Sequence, residues 1–103
     1  MSSPTKMKVA VKGVYTEVKI LMQHVMENGR RKDDNGNIIP AWYISDFKVK
    51  HKDEVVFEGQ FGTSVSKNPY LVCRILGAAA GEKITVSWVD NHGEQREDEA
   101  VIE

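Results

Sequence analysis

Short runs in which apolar and polar residues alternate recur along this 103-residue chain, broken by clusters of Gly, Pro, Asn and Asp. That pattern restricts the chain to β-structure. Successive strand residues point to opposite faces, whereas a helix needs a 3.6-residue period, and no window long enough for a helix shows one. Met7, Val9 and Val11 alternate with lysines, Val18, Ile20 and Met22 with Glu17, Lys19 and Gln23, and Tyr43, Phe47 and Val49 with Asp46, Lys48 and Lys50. Further dry faces follow at Val55, Phe57 and Phe61, at Leu71, Cys73 and Ile75, and at Ile84, Val86 and Trp88, with a more polar run over residues 97–102.

The connections carry their own chemistry. Lys52-Asp53 and Asp90-Asn91-His92-Gly93 are short enough to close antiparallel hairpins, with Gly93 free to take a positive φ. Gly77-Ala-Ala-Ala-Gly81-Glu82 suits a crossing from one sheet to another, since its two glycines tolerate unusual dihedrals. About seven strands with these links predict an all-β, immunoglobulin-like antiparallel β-sandwich, a single domain over residues 1–103. A disulfide of the antibody type is excluded because Cys73 is the one cysteine. Tyr70 also stands three residues before it rather than the two of a tyrosine corner.

Two features point to a partner. The connection over residues 25–42 is longer than compact domains usually need, and it ends in Ile38, Ile39, Pro40, Ala41 and Trp42, which a disordered linker would not carry. Its apolar end is expected to pack either on this domain or on another protein. In addition, Leu21, Ile44, Val56, Val72 and Val89 fall on strand positions expected to face water, and together they would form an interaction patch. Leu21, Ile38, Ile39, Trp42, Ile44, Val56, Val72 and Val89 are therefore the candidate partner interface.

Composition and motifs exclude most chemistry. Fourteen Lys and Arg against 15 Asp and Glu give a net charge of −1, which argues against a nucleic-acid binder with a basic face. His24, His51 and His92 lie on different elements without metal-ligand spacing, so no metal is expected. Asp33-Asp34-Asn35-Gly36 resembles a calcium loop only superficially. With Gly36 at the sixth position, Arg31 and Trp42 occupy the first and twelfth, where acidic ligands are required, so the segment reads as a turn. Cys73 lies between Leu71 and Ile75 on its strand face, and Arg74 points the other way, so Cys73 reads as a small apolar residue rather than a reactive thiol. Arg30-Arg31-Lys32 is met at once by Asp33-Asp34. Nothing assembles a nucleophile, a base and an oxyanion site, so no catalytic residue and no cofactor are expected. Lys6, Lys8 and Lys12 interrupt the only apolar stretch near Met1, which gives neither a signal peptide nor a membrane span, and on residues alone places the chain in the cytoplasm.

Several segments together are distinctive: Ile20-Leu-Met-Gln-His-Val-Met-Glu-Asn-Gly29, Arg31-Lys-Asp with Ile39-Pro-Ala, Gly62-Thr-Ser-Val-Ser-Lys-Asn-Pro69, and Ile84-Thr-Val-Ser-Trp-Val-Asp-Asn91. From about Val9 to Val101 the chain resembles the SoxZ family of the bacterial Sox thiosulfate-oxidising system. The resemblance implies a non-catalytic subunit bound tightly to SoxY, which carries sulfur intermediates on a cysteine in a flexible, glycine-flanked C-terminal arm. Glu99-Ala-Val-Ile-Glu103 holds no such cysteine. It further implies transient visits by SoxXA, SoxB and SoxCD, which load, hydrolyse and oxidise the bound sulfur. The implied location is the periplasm, reached with a SoxY that bears the export signal, which replaces the cytoplasmic expectation. Arg31, Lys32 and Lys67 are, by charge, candidates for contacting anionic sulfur groups or docking enzymes. Two other readings follow from the residues: Cys73 as a sulfur carrier itself, and an immunoglobulin-like adhesion module unrelated to sulfur metabolism.

Overall fold

The computed structural model describes residues 3–103, and seven strands form among them: β1 (Lys6–Lys12), β2 (Tyr15–Leu21), β3 (Ile44–His51), β4 (Glu54–Gln60), β5 (Tyr70–Leu76), β6 (Lys83–Asp90) and β7 (Gln95–Val101). They build two antiparallel sheets, one in the order β1-β2-β5 and the other in the order β4-β3-β6-β7. This is the expected immunoglobulin-like β-sandwich. Its extents of 53 × 21 × 19 Å make it a long, narrow platform.

The core lies between the sheets, where alternation puts it. Val18, Ile20 and Ile75 of the three-stranded sheet face Phe47, Val49, Ile84, Val86 and Trp88 of the four-stranded sheet, and Met22, Met26 and Ile102 close the ends. Lys52 and Asp53 both have positive φ, 55° and 66°, as the two central residues of a type I′ hairpin turn require. The Gly77–Gly81 link carries the chain from β5 in one sheet to β6 in the other, and both of its glycines sit at positive φ.

Several inward–outward assignments are overturned: Val11, Val55 and Phe57, expected on dry faces, are 41–46% exposed, and Ile44 errs the other way. Extrapolating β3 backward from Phe47 puts Ile44 on the water side, yet Ile44 is fully buried. The cause is a β-bulge between Ile44 and Asp46 against β6, which adds a residue and turns Ile44 to the inner face. Ile44 belongs to the core and has no surface to offer a partner. A second bulge lies between Val49 and Lys50 against β4, at the end of the sheet nearest the Lys52-Asp53 turn.

Candidate partner-binding surface

A sandwich has two long seams where sheet edges meet, and here the two are built differently. On one side β1 lies against β7, and the backbone N–H of Thr5 donates to Asp98 Oδ2 at 2.9 Å. Burial works against the Asp98 charge, but Arg96, with Nε 2.7 Å from Oδ2, and Thr5 more than offset it, so the carboxyl stays below its usual range. This seam has a polar closure.

The other side joins β4 to β5, each the outermost strand of its sheet. Among the described residues no hydrogen bond or ion pair links them. An open cleft of about 320 Å³ runs between them, lined by Val56, Phe57, Cys73, Arg74, Ile75 and Leu76. Val55, Val56 and Phe57 are each 41–42% exposed and Leu76 is 76% exposed, while Tyr70 and Val72 add exposed apolar area on the outer side of β5. Each edge strand leaves a row of unpaired backbone donors and acceptors, and neither is blunted by proline. Burial raises the pKa of the Cys73 thiol, so it enters the cleft protonated and poorly nucleophilic. The arrangement can bury a partner's apolar side chains and extend either sheet.

The long connection is ordered and folds back on its own domain. Glu27 and Trp42 form an antiparallel bridge with N–H to O distances of 2.7 and 2.9 Å, and Lys32 pairs with Ile38. At its tip Asp33 Oδ1 accepts the amides of Asn35 and Asn37, and Gly36 sits at φ 81°, so the segment is the expected turn. Trp42 packs inward: its indole N–H donates to Asp90 Oδ2 at 2.7 Å, and its ring stacks on His92 with centroids 4.9 Å apart. His92 is exposed yet stacked. His24 is a buried, hydrogen-bonded residue at the core's edge. Ile39 is half-buried, while Ile38, 61% exposed, and Pro40 project from the loop's apolar end.

The interface candidates therefore separate. Leu21 and Val72 lie on the outer face of the three-stranded sheet, Val89 on the outer face of the other, Val56 at the open seam, Ile38 and Ile39 on the loop, and Trp42 and Ile44 are engaged internally. No single patch joins them. Arg31 and Lys67 do come together around an open cavity of about 430 Å³, but Arg31 is held by Glu27 at 3.0 Å. Lys67 also borders a cavity of about 330 Å³ beside His24, Trp42 and Trp88. Lys32 stays exposed at the loop's second bridge.

Sequence alternation missed the seam because Val55 and Phe57 were read as dry core positions. The signal was present in the three consecutive apolar residues Val55-Val56-Phe57, which make both faces of one short strand apolar.

No curated protein matches the chain. Among protein families, the one described as sulphur oxidation protein SoxZ matches residues 5–101. That span takes in all seven strands and both seams, and the chain accordingly belongs to the SoxZ family of the Sox sulfur-oxidation system.

Proposed function

We propose that this chain is the non-catalytic scaffold subunit of a SoxYZ carrier heterodimer, and that SoxY packs along the open seam between β4 and β5. The observation that carries the reading is the asymmetry of the two seams: a polar tie closes β1 against β7, while β4 and β5 expose a continuous apolar cleft with free strand edges. Large exposed apolar strips are uncommon on monomers and mark permanent interfaces. A cysteine-bearing arm on SoxY would supply reach, and this rigid sandwich would supply the fixed surface against which SoxXA, SoxB and SoxCD recognise the loaded carrier. Work would take place in the periplasm, after export with a signal-bearing SoxY. Cys73 would contribute packing rather than sulfur transfer, in keeping with its raised pKa.

The test is titration of SoxY with the wild-type chain and with Val56→Asp/Leu76→Asp. Both side chains are exposed in the free subunit, so the double variant should keep its β-sheet circular dichroism. Burying two carboxylates at the centre of an interface should weaken the complex by about 100-fold or more. Unchanged affinity with an intact fold would remove the seam as the SoxY site.

A further inference from the structure

The net charge of −1 conceals a segregation that the strand registers reveal. Across the three-stranded sheet, Lys6, Leu21 and Tyr70 form one outward row, Lys8, Lys19 and Val72 the next, Ala10, Glu17 and Arg74 a third, and Lys12, Tyr15 and Leu76 the last. This one face holds five of the chain's 14 basic residues and one of its 15 acidic residues, a net of +4 that leaves the rest of the chain at −5. Alternation sorts charges by face, which a whole-chain sum does not see.

The cations are unspent. Lys6, Lys8 and Lys12 are exposed and form no ion pair among the described residues, and Lys19 reaches Glu17 only at 3.8 Å. The Arg74 guanidinium lies over the Tyr15 ring, 5.0 Å from its centroid, which flattens it along the sheet. The outer face of the four-stranded sheet mixes the signs instead, with Lys48, Lys50 and Lys83 among Asp46, Glu58, Glu97 and Glu99, and Lys83 pairs with Glu99 at 3.3 Å. The three-stranded sheet thus presents a flat, positive side.

We propose that this face is an electrostatic docking surface for the acidic face of a second protein that binds transiently, a surface centred on β1 and β2 that meets the β4–β5 seam only along β5. Charge complementarity names the partner's chemistry: several carboxylates spaced to meet lysines on a sheet. The aliphatic residues among the cations, Leu21, Val72 and Leu76, favour a protein over a phosphate backbone, which gives such side chains nothing to contact. Unpaired rim lysines act mainly on the rate of encounter, so the surface suits a partner that must arrive and leave quickly. A carrier that serves several enzymes in turn needs such a surface, so the assignment rests on the proposed scaffold role for its purpose but not for its geometry.

The experiment uses the intact complex with SoxY and, as probes, the purified enzymes of the same sulfur-oxidation system, with phosphatidylglycerol vesicles and duplex DNA alongside. Lys8→Glu/Lys12→Glu lies on β1, two strands from the seam, so SoxY affinity should be unchanged. Association of at least one enzyme should slow by about tenfold at low ionic strength, with the difference vanishing at high salt, and Lys8→Arg/Lys12→Arg should restore the rate. Unchanged association for every enzyme would overturn the proposal. So would vesicle or DNA binding that alone responds to the reversal, which would identify the face as a membrane or nucleic-acid surface. Leu76 borders both surfaces, so the seam is scored with Val56→Asp alone, on β4; loss of SoxY binding in that variant bears only on the seam, and the two readings fail separately.

Discussion

His24 Nε2 donates to Asp90 Oδ2 across 3.0 Å, and the two side chains are 4% and 0% exposed. The direction of the bond follows from the other ring nitrogen, since Nδ1 accepts the backbone N–H of Met26 at 3.1 Å. Burial opposes the Asp90 charge, but His24, the Trp42 indole and the amides of Glu94 and His92 more than offset it, so the carboxyl sits below its usual range. One carboxylate thereby fastens the start of the long loop, its end and the β6–β7 turn.

Removing that carboxylate should be costly. Asp90→Ala strands the His24 ring and the Trp42 indole without an acceptor and leaves two turn amides unmet. A loss of about 2–4 kcal/mol is expected, read from the midpoint and slope of urea unfolding. A loss under about 1 kcal/mol would mean that the loop does not depend on this anchor.

Gly59 faces the Phe47 ring so closely that a Cβ there would lie 2.8 Å from Cζ. Phe47 in turn packs on Phe57 and Phe61, with centroids 5.5 and 4.9 Å away. Gly59→Ala should therefore cost about 1–3 kcal/mol as the aromatic cluster shifts, with near-ultraviolet circular dichroism changing alongside stability. Unaltered stability would show that the ring moves aside freely.

Acid should weaken the fold in a defined window. Glu82 is lowered from 4.5 to about 2, first by the hydrogen bond from His51, then by the Ala79 amide and Lys52. A carboxyl whose folded pKa is depressed contributes stability that is complete above the unfolded value and lost as pH falls through the folded one. Glu82 should thus lose its contribution between about pH 4.5 and about pH 2, and the lowered Asp90 and Asp98 add to the same trend. In Glu82→Gln the fall in thermal midpoint over that window should be shallower than in wild type. Identical slopes would contradict the assignment.

How far the sequence discloses these features depends on how local their causes are. Alternation and turn residues were enough for seven strands and two hairpins, because each is set by a few neighbouring residues. Ile44 escaped because a bulge changes parity without leaving a residue-type signature. The Asp90 anchor escaped because its partners His24 and Trp42 are 66 and 48 positions away and meet it only in the folded sandwich. The open seam left only a local trace, the run Val55-Val56-Phe57, because which strand ends uncovered at a sheet edge is decided by topology.

Cys73 provides a check that is independent of stability. Since burial raises its pKa, the free subunit should react slowly with iodoacetamide at neutral pH, and binding of SoxY over the cleft should slow it further. Rapid labelling that SoxY does not affect would place the thiol outside the interface. A sulfur adduct on Cys73 after incubation with the loading enzyme and thiosulfate would make this chain the carrier itself.

The most direct measurement is backbone hydrogen exchange of the chain alone and in complex with SoxY. Slower exchange in the complex along β4 (Glu54–Gln60) and β5 (Tyr70–Leu76), with β1 and β7 unchanged, is the predicted result. Protection confined to β1, β7 or the 25–42 loop, with β4 and β5 exchanging as in the free chain, would contradict the account.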